Sequence, residues 1–257
     1  MTDPLILAWV FVAGVIAGAI NSVAGGGTLI SFPSLVAVGE PEIISNATNT
    51  AALWPGSLSS ALGYVKDTPV QRSLLTTLAV PSLVGGLLGA FILTVTPAET
   101  FRYVVPFLVL FATLVLAFRD IFSKRLGSRS AGDERVTTAG RIWGALFQLF
   151  VATYGGYFGA GIGILMLGSL SLMGMQDIHK MNAIKTPLSA LINVTAFVFF
   201  AFKGYVVWWL AVLMAAGAII GGYAGARLAK RVNPRLVDTC VVAVGLLVSC
   251  WFFSQLL

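Results

Sequence analysis

Acidic side chains are scarce in this 257-residue chain, which has ten Asp and Glu against sixteen Lys and Arg and a single His. The ten lie at the ends of apolar runs or in the loops between them: Asp3, Glu40, Glu42, Asp67, Glu99, Asp120, Asp133, Glu134, Asp177 and Asp238. That placement argues against a carboxylate proton relay and against a carrier for metal ions or organic cations, which would need acids at membrane depth. His179 reads as a lone loop residue, no HExxH is present, and neither glycine cluster spells GxGxxG. No catalytic residue, no metal ligand and no cofactor is therefore expected. Cys240 and Cys250 stand ten residues apart on one apolar segment, about 15 Å along a helix. They cannot pair with each other and read as packing residues. The first apolar run is preceded by Asp3 and no basic residue, which speaks against a cleaved signal peptide.

What the chain does have is apolar sequence. Hydrophobic residues make up 58% and charged residues 10%, where a soluble domain carries about 25% charged residues. With a mean hydropathy of +0.92, no water-facing shell can cover it, and an all-α, multi-pass protein of the cell (inner or plasma) membrane is expected. The net charge of +6 resides in loops between apolar segments, so it reports membrane topology rather than a nucleic-acid partner. The apolar segments run over 4–38, 43–65, 73–95, 101–122, 140–175, 180–202, 204–229 and 235–257, with a polar interruption at 119–141.

The two sides of that interruption resemble each other. NATNT at 46–50 recurs as NAIKT at 182–186, and GGLLGA at 85–90 recurs as GGYAGA at 221–226, both at an offset of 136. AGGGT at 24–28 matches GAGIG at 159–163 at 135, and Pro97 matches Pro234 at 137. An N-terminal repeat over 1–122, a cytoplasmic linker over 123–139 and a C-terminal repeat over 140–257 follow. The segments 4–38 and 140–175 are too long for one crossing of a core about 30 Å thick, and each has glycines near its middle. A break and a helix running back are expected in each. With that arrangement thirteen Lys and Arg fall inside and only Arg102 and Lys203 outside, Lys185 being within an apolar run, as the positive-inside rule requires. The second repeat is then inverted relative to the first, each repeat being a broken or re-entrant helical hairpin plus three transmembrane helices.

Glycines at such a break leave backbone amides uncovered, and amides at a helix start suit an anion. Gly25, Gly26, Gly27, Thr28 and Gly161 are candidates on that ground, whereas Gly217, Gly221 and Gly225, spaced by four, read as a helix-packing seam. Asn182, Lys185, Thr186, Ser189 and Asn193 form one stripe on the helix after the second break. Asn46, Asn49, Thr50 and Ser57 form its counterpart, with Leu53 replacing the serine. Polar residues at membrane depth face protein or a water-filled cavity. Two stripes beside two breaks read as halves of one substrate site that prefers anions. With no carboxylate in the apolar segments, Lys185 is expected to pair with the substrate.

GGGTLISFP at 25–33, NATNTAALWPGSLSSALGY at 46–64, and the second-copy FGAGIGILMLGSLSLMG and MNAIKTPLSALINV are similar to the sulfite exporter TauE/SafE family of probable membrane transporter proteins. The resemblance covers essentially the whole chain. It implies a small sulfur-containing anion, such as sulfite or an organosulfonate, moved by alternating access. The second copy departs from the first where Gly168 replaces Pro33 and where Ala160 and Ile162 interrupt the glycines. The alternatives left open are an anion channel of the same architecture and a non-transporting membrane scaffold. The partners expected are the lipid bilayer and the anion, with a homodimer left open.

Overall fold

The computed structural model describes residues 3–23, 25–65, 72–118, 138–173, 175, 177–229 and 234–256. Among them the secondary structure is helical: α1 (Pro4–Val23), α2 (Thr28–Ala37), α3 (Glu42–Val65), α4 (Arg72–Val95), α5 (Ala98–Ala117), α6 (Thr138–Tyr157), α7 (Ile162–Leu172), α8 (Ile178–Phe202), α9 (Trp208–Leu228) and α10 (Pro234–Ser254). Five of these, at Pro4–Val23, Arg72–Val95, Ala98–Ala117, Lys180–Phe202 and Trp208–Leu228, hold stretches long and apolar enough to cross a membrane. Their outward faces carry large apolar side chains such as Val80, Leu87, Phe91, Phe107 and Val212, as lipid contact demands.

Both long segments break at their glycines. Gly25, between α1 and α2, has a φ of +90°, in the left-handed region that a side chain disfavours. Its amide donates back five residues to Ile20 O at 3.1 Å. Gly159 ends α6 in the same way, with a φ of +80° and an amide that donates to Tyr154 O at 3.3 Å. Each following helix folds back on its predecessor. Leu35 of α2 shares a buried cluster with Val10 and Ala13 of α1, and Met173, just past α7, lies over Gly144 of α6.

The halves interlock through reciprocal seams. Gly217 and Gly221 bring α9 onto the α1 backbone at Phe11, Val15 and Ala19, while Gly85 and Gly89 bring α4 onto α6 at Leu149, Thr153 and Tyr157. α3 packs on α9 with Gly56 against Ala218, and α4 packs on α8 with Gly86 against Ile192. These are close helix approaches of the small-residue kind.

The seams also fix how the halves correspond. Gly221 faces Val15 and Ala19 where Gly85 faces Leu149 and Thr153, so α1 matches α6 at 134, as do Gly25 with Gly159 and the starts of α2 and α7. The glycine clusters therefore align one residue away from the expected 135. From α3 and α8 onward the offset is 136, because the passage through α7 into α8 is two residues longer.

Two expectations are corrected. Cys240 and Cys250 are exposed and do not pack, because α10 turns Gly245 and Val241 inward instead. His179 falls in the first turn of α8 rather than in a loop. Of the expected linker at 123–139, only 138–139 are among the described residues.

Candidate functional site

Every member of both polar stripes is buried. Asn46, Asn49, Thr50 and Ser57 on α3, and Asn182, Lys185, Thr186, Ser189 and Asn193 on α8, are each at most 6% exposed. The two threonines are satisfied alike within their own helices. Thr50 Oγ1 donates to Asn46 O at 2.9 Å and Thr186 Oγ1 to Asn182 O at 3.0 Å, which leaves each hydroxyl oxygen able to accept.

Lys185 reaches the end of α1. Its Nζ donates to Asn21 O at 3.3 Å and to Ser22 O at 3.5 Å. Carbonyls in the last turn of a helix have no intrahelical partner and carry the negative end of the helix dipole, so they suit an ammonium. The expectation of a purely substrate-paired lysine missed these partners because it looked only for carboxylates. A helix ending at a glycine cluster was the available signal. The Lys185 stem runs past Gly163 at the start of α7.

Gly163 also meets Gly25. A methyl group placed on Gly25 would stand 2.7 Å from Gly163 Cα, so the two breaks touch backbone to backbone. The other glycine-turn candidates point elsewhere. Gly27 lies on the α1 backbone at Ala17, Gly161 faces Ala112 of α5, and Gly26 faces Val241 and Leu116 on α10 and α5. Thr28 is buried at the start of α2.

Beside the α1 end is a small polar cavity of about 10 Å³, lined by Gly18, Asn21 and Ser22 of α1, Gly56, Ser57 and Ser60 of α3, and Thr186 and Ser189 of α8. That volume admits about one water. Ser57, Thr186 and Ser189 were expected at the site; Asn21, Ser22 and Ser60 were not. Ser60 continues the α3 stripe by three residues, and Asn21-Ser22 directly precedes the break. Asn46, Asn49, Thr50, Asn182, Lys185 and Asn193 do not line the cavity. Asn49 Oδ1 accepts from Ser31 Oγ, and Ser189 Oγ contacts Met166 Sδ at 3.5 Å.

The break after α6 is filled differently. Phe158 packs edge-on to Phe32 at 5.3 Å and to Phe101 at 6.4 Å, and Phe32 stacks on Phe252 at 5.7 Å. Asn46 Nδ2 donates to Tyr157 O at 2.8 Å across this break. Among the described residues, no group of His, Cys, Asp or Glu is placed to hold a metal ion.

The family described as sulfite exporter TauE/SafE matches residues 10–252. The probable membrane transporter protein ORF9 of Sinorhizobium sp is 31% identical over 246 residues, covering 94% of this chain and 90% of the relative. A probable membrane transporter protein of Haemophilus influenzae is 27% identical over 245 residues, covering 95% and 93%. The probable membrane transporter protein YfcA of Escherichia coli is 28% identical over 254 residues, covering 97% and 90%. No solved structure matches the chain.

Proposed function

The chain belongs to the sulfite exporter TauE/SafE family, a family of membrane transporters, and on that premise we propose that it carries a small oxyanion of sulfur, sulfite or a short organosulfonate, by alternating access. The observation that carries this reading is Lys185, a buried cation at the end of α1, whose carbonyl partners Asn21 and Ser22 also line a cavity edged by five hydroxyls. An oxyanion accepts charge-assisted and hydroxyl hydrogen bonds, and no Asp or Glu lines that cavity. Asn182 Nδ2 and, once turned from the helix carbonyls they now engage, the Thr50 and Thr186 hydroxyls are further donors for an opened site.

Support for the inverted arrangement comes from the reciprocal seams and from the chain ends. Arg102 Nε lies 3.9 Å from Glu42 Oε1, and Arg102 Nη2 lies 3.4 Å from Gln255 O. The inverted topology puts these three groups on one membrane face, the outer one. It also puts the aromatic packing of Phe32, Phe101, Phe158 and Phe252 on the outer side and the hydroxyl-lined cavity on the inner side. A space for one water does not admit sulfite, so passage requires the seams to shift. That favours a carrier over an open channel.

Titration calorimetry of the purified protein with sulfite, thiosulfate and short sulfonates tests the reading. Lys185→Ala is expected to weaken the best ligand at least tenfold, about 1.4 kcal/mol, with Lys185→Arg restoring only part because a planar fork does not replace a compact ammonium. Melting of the unliganded variants separates this from loss of the α1 end. Unchanged affinity in a folded Lys185→Ala protein, or no binding of any of these anions, overturns the proposal.

A further inference from the structure

Two helix ends that correspond in the fold meet different partners. At the end of α1, the carbonyls of Asn21 and Ser22 receive the Lys185 ammonium. The offset of 134 puts Gly155 and Gly156 of α6 in the places of Asn21 and Ser22, and the offset of 136 puts Asn49 in the place of Lys185. Asn49 brings no charge, and its Oδ1 is engaged by Ser31. The α6 end instead has Asn46, fully buried one turn earlier on α3, with Nδ2 donating to Tyr157 O at 2.8 Å. That bond decides which end of the amide is oxygen, since the reverse orientation would set Oδ1 against a carbonyl. Asn46 Oδ1 is thus a buried acceptor, held beside a helix C-terminus, with no hydrogen-bond partner among the described residues, as is Asn182 Oδ1 at the corresponding place on α8. The Gly159 amide turns back to Tyr154 O and so does not cover Gly155 O.

We propose that the end of α6 binds a sodium ion through Asn46 Oδ1 and the carbonyls of Gly155 and Gly156, in the position where the α1 end holds the lysine ammonium. The donor set is neutral and made of hard oxygens, and the helix dipole adds a partial negative charge. Broken-helix carbonyl ends are where transporters hold sodium. A divalent ion would need carboxylates, and none lies among the named donors. One half of the fold thereby holds a built-in cation and the other an exchangeable one. As a coupling ion the sodium rests on the transport reading above; as a bound ion it does not.

The test is thermal melting of the purified full chain in sodium, potassium and choline chloride at equal ionic strength, with binding of radiolabelled sodium measured in parallel. Sodium is expected to raise the melting temperature saturably and choline not to. Asn46→Ala should lose the rise. Asn49→Lys, which gives the first half the lysine of the second, should keep the fold and also lose the rise, because its ammonium takes the ion's place. If Asn46→Ala does not fold, Asn49→Lys and the radiolabel still decide. Equal melting in sodium and choline with no labelled sodium bound overturns the site, as does a rise in potassium alone. Sulfite titrated in choline salts reports on the anion site separately, so the two proposals fail independently.

Discussion

The break after α1 and the break after α6 share a backbone and differ in what fills it. Each ends its helix on a left-handed glycine whose amide reaches back five residues. Each sends a short helix back along the longer one, and each is clamped by a glycine seam from the other half. Around the first break lie serines, a threonine, a lysine and room for a water. Around the second lie interlocked phenyl rings. The difference teaches that the main chain carries the architecture common to both halves, while side chains give the first break hydroxyls and a lysine and pack the second with phenyl rings beside Asn46.

The largest effect should come from attacking what the breaks share. Gly25→Val places a side chain at a φ of +90° and within 2.7 Å of Gly163 Cα, so strain of about 1–3 kcal/mol adds to a backbone collision. Little or no monodisperse protein is expected on size exclusion; a well-folded variant would dissolve the contact between the breaks. Attacking what differs should cost less. Phe158→Ala removes a fully buried ring from the aromatic cluster and should lower stability by about 3–5 kcal/mol, read as a lower melting temperature with anion binding retained. Loss of anion binding in a folded Phe158→Ala protein would show that the two breaks do not divide the work.

Orientation can be tested without disturbing either break. With exposed Cys240 and Cys250 replaced by Ala, at a cost within about 0.5 kcal/mol, single cysteines at Asp3 and Leu257 should both react with an impermeant reagent from outside. Reaction of either only after the membrane is opened would end the inverted arrangement. The smallest effect is expected at Gly26. Its nearest neighbour for a methyl group is a side-chain atom, Val241 Cγ1 at 3.2 Å, and no backbone atom lies as close, so Gly26→Ala should cost about 1 kcal/mol or less and leave anion affinity unchanged. A large loss of affinity there would return Gly26 to the substrate path.

The hairpins, the seam at Gly217 and Gly221 and the buried stripes on α3 and α8 were legible because each rests on spacing: segment length against membrane thickness, or polar residues at helical period. The partner of Lys185 was not legible, because backbone carbonyls look alike in every sequence and only the end of α1 makes Asn21 and Ser22 acceptors for it. Nor was the divergence of Gly25, Gly26 and Gly27. Three identical residues in a turn point in three directions, and no periodicity orders them. Their register against the second copy slipped by one for the same reason, since glycine-rich strings match almost as well at either offset. The aromatic cluster escaped notice because Phe32, Phe101, Phe158 and Phe252 are far apart in sequence and unremarkable in a chain with seventeen phenylalanines.

Where Gly25 lies on Gly163, neither position can gain a side chain while the other holds its course. Two residues in separate halves are therefore bound to a common mutational fate. Elsewhere the halves are free to drift, as Lys185 and Asn49 or Ser189 and Leu53 already have. At this contact any larger residue in one half must await a displacement of backbone in the other, which a single substitution does not provide. A gene cut at the linker should accordingly yield two fragments that accumulate only when expressed together, each supplying the surface on which the other's bend comes to rest.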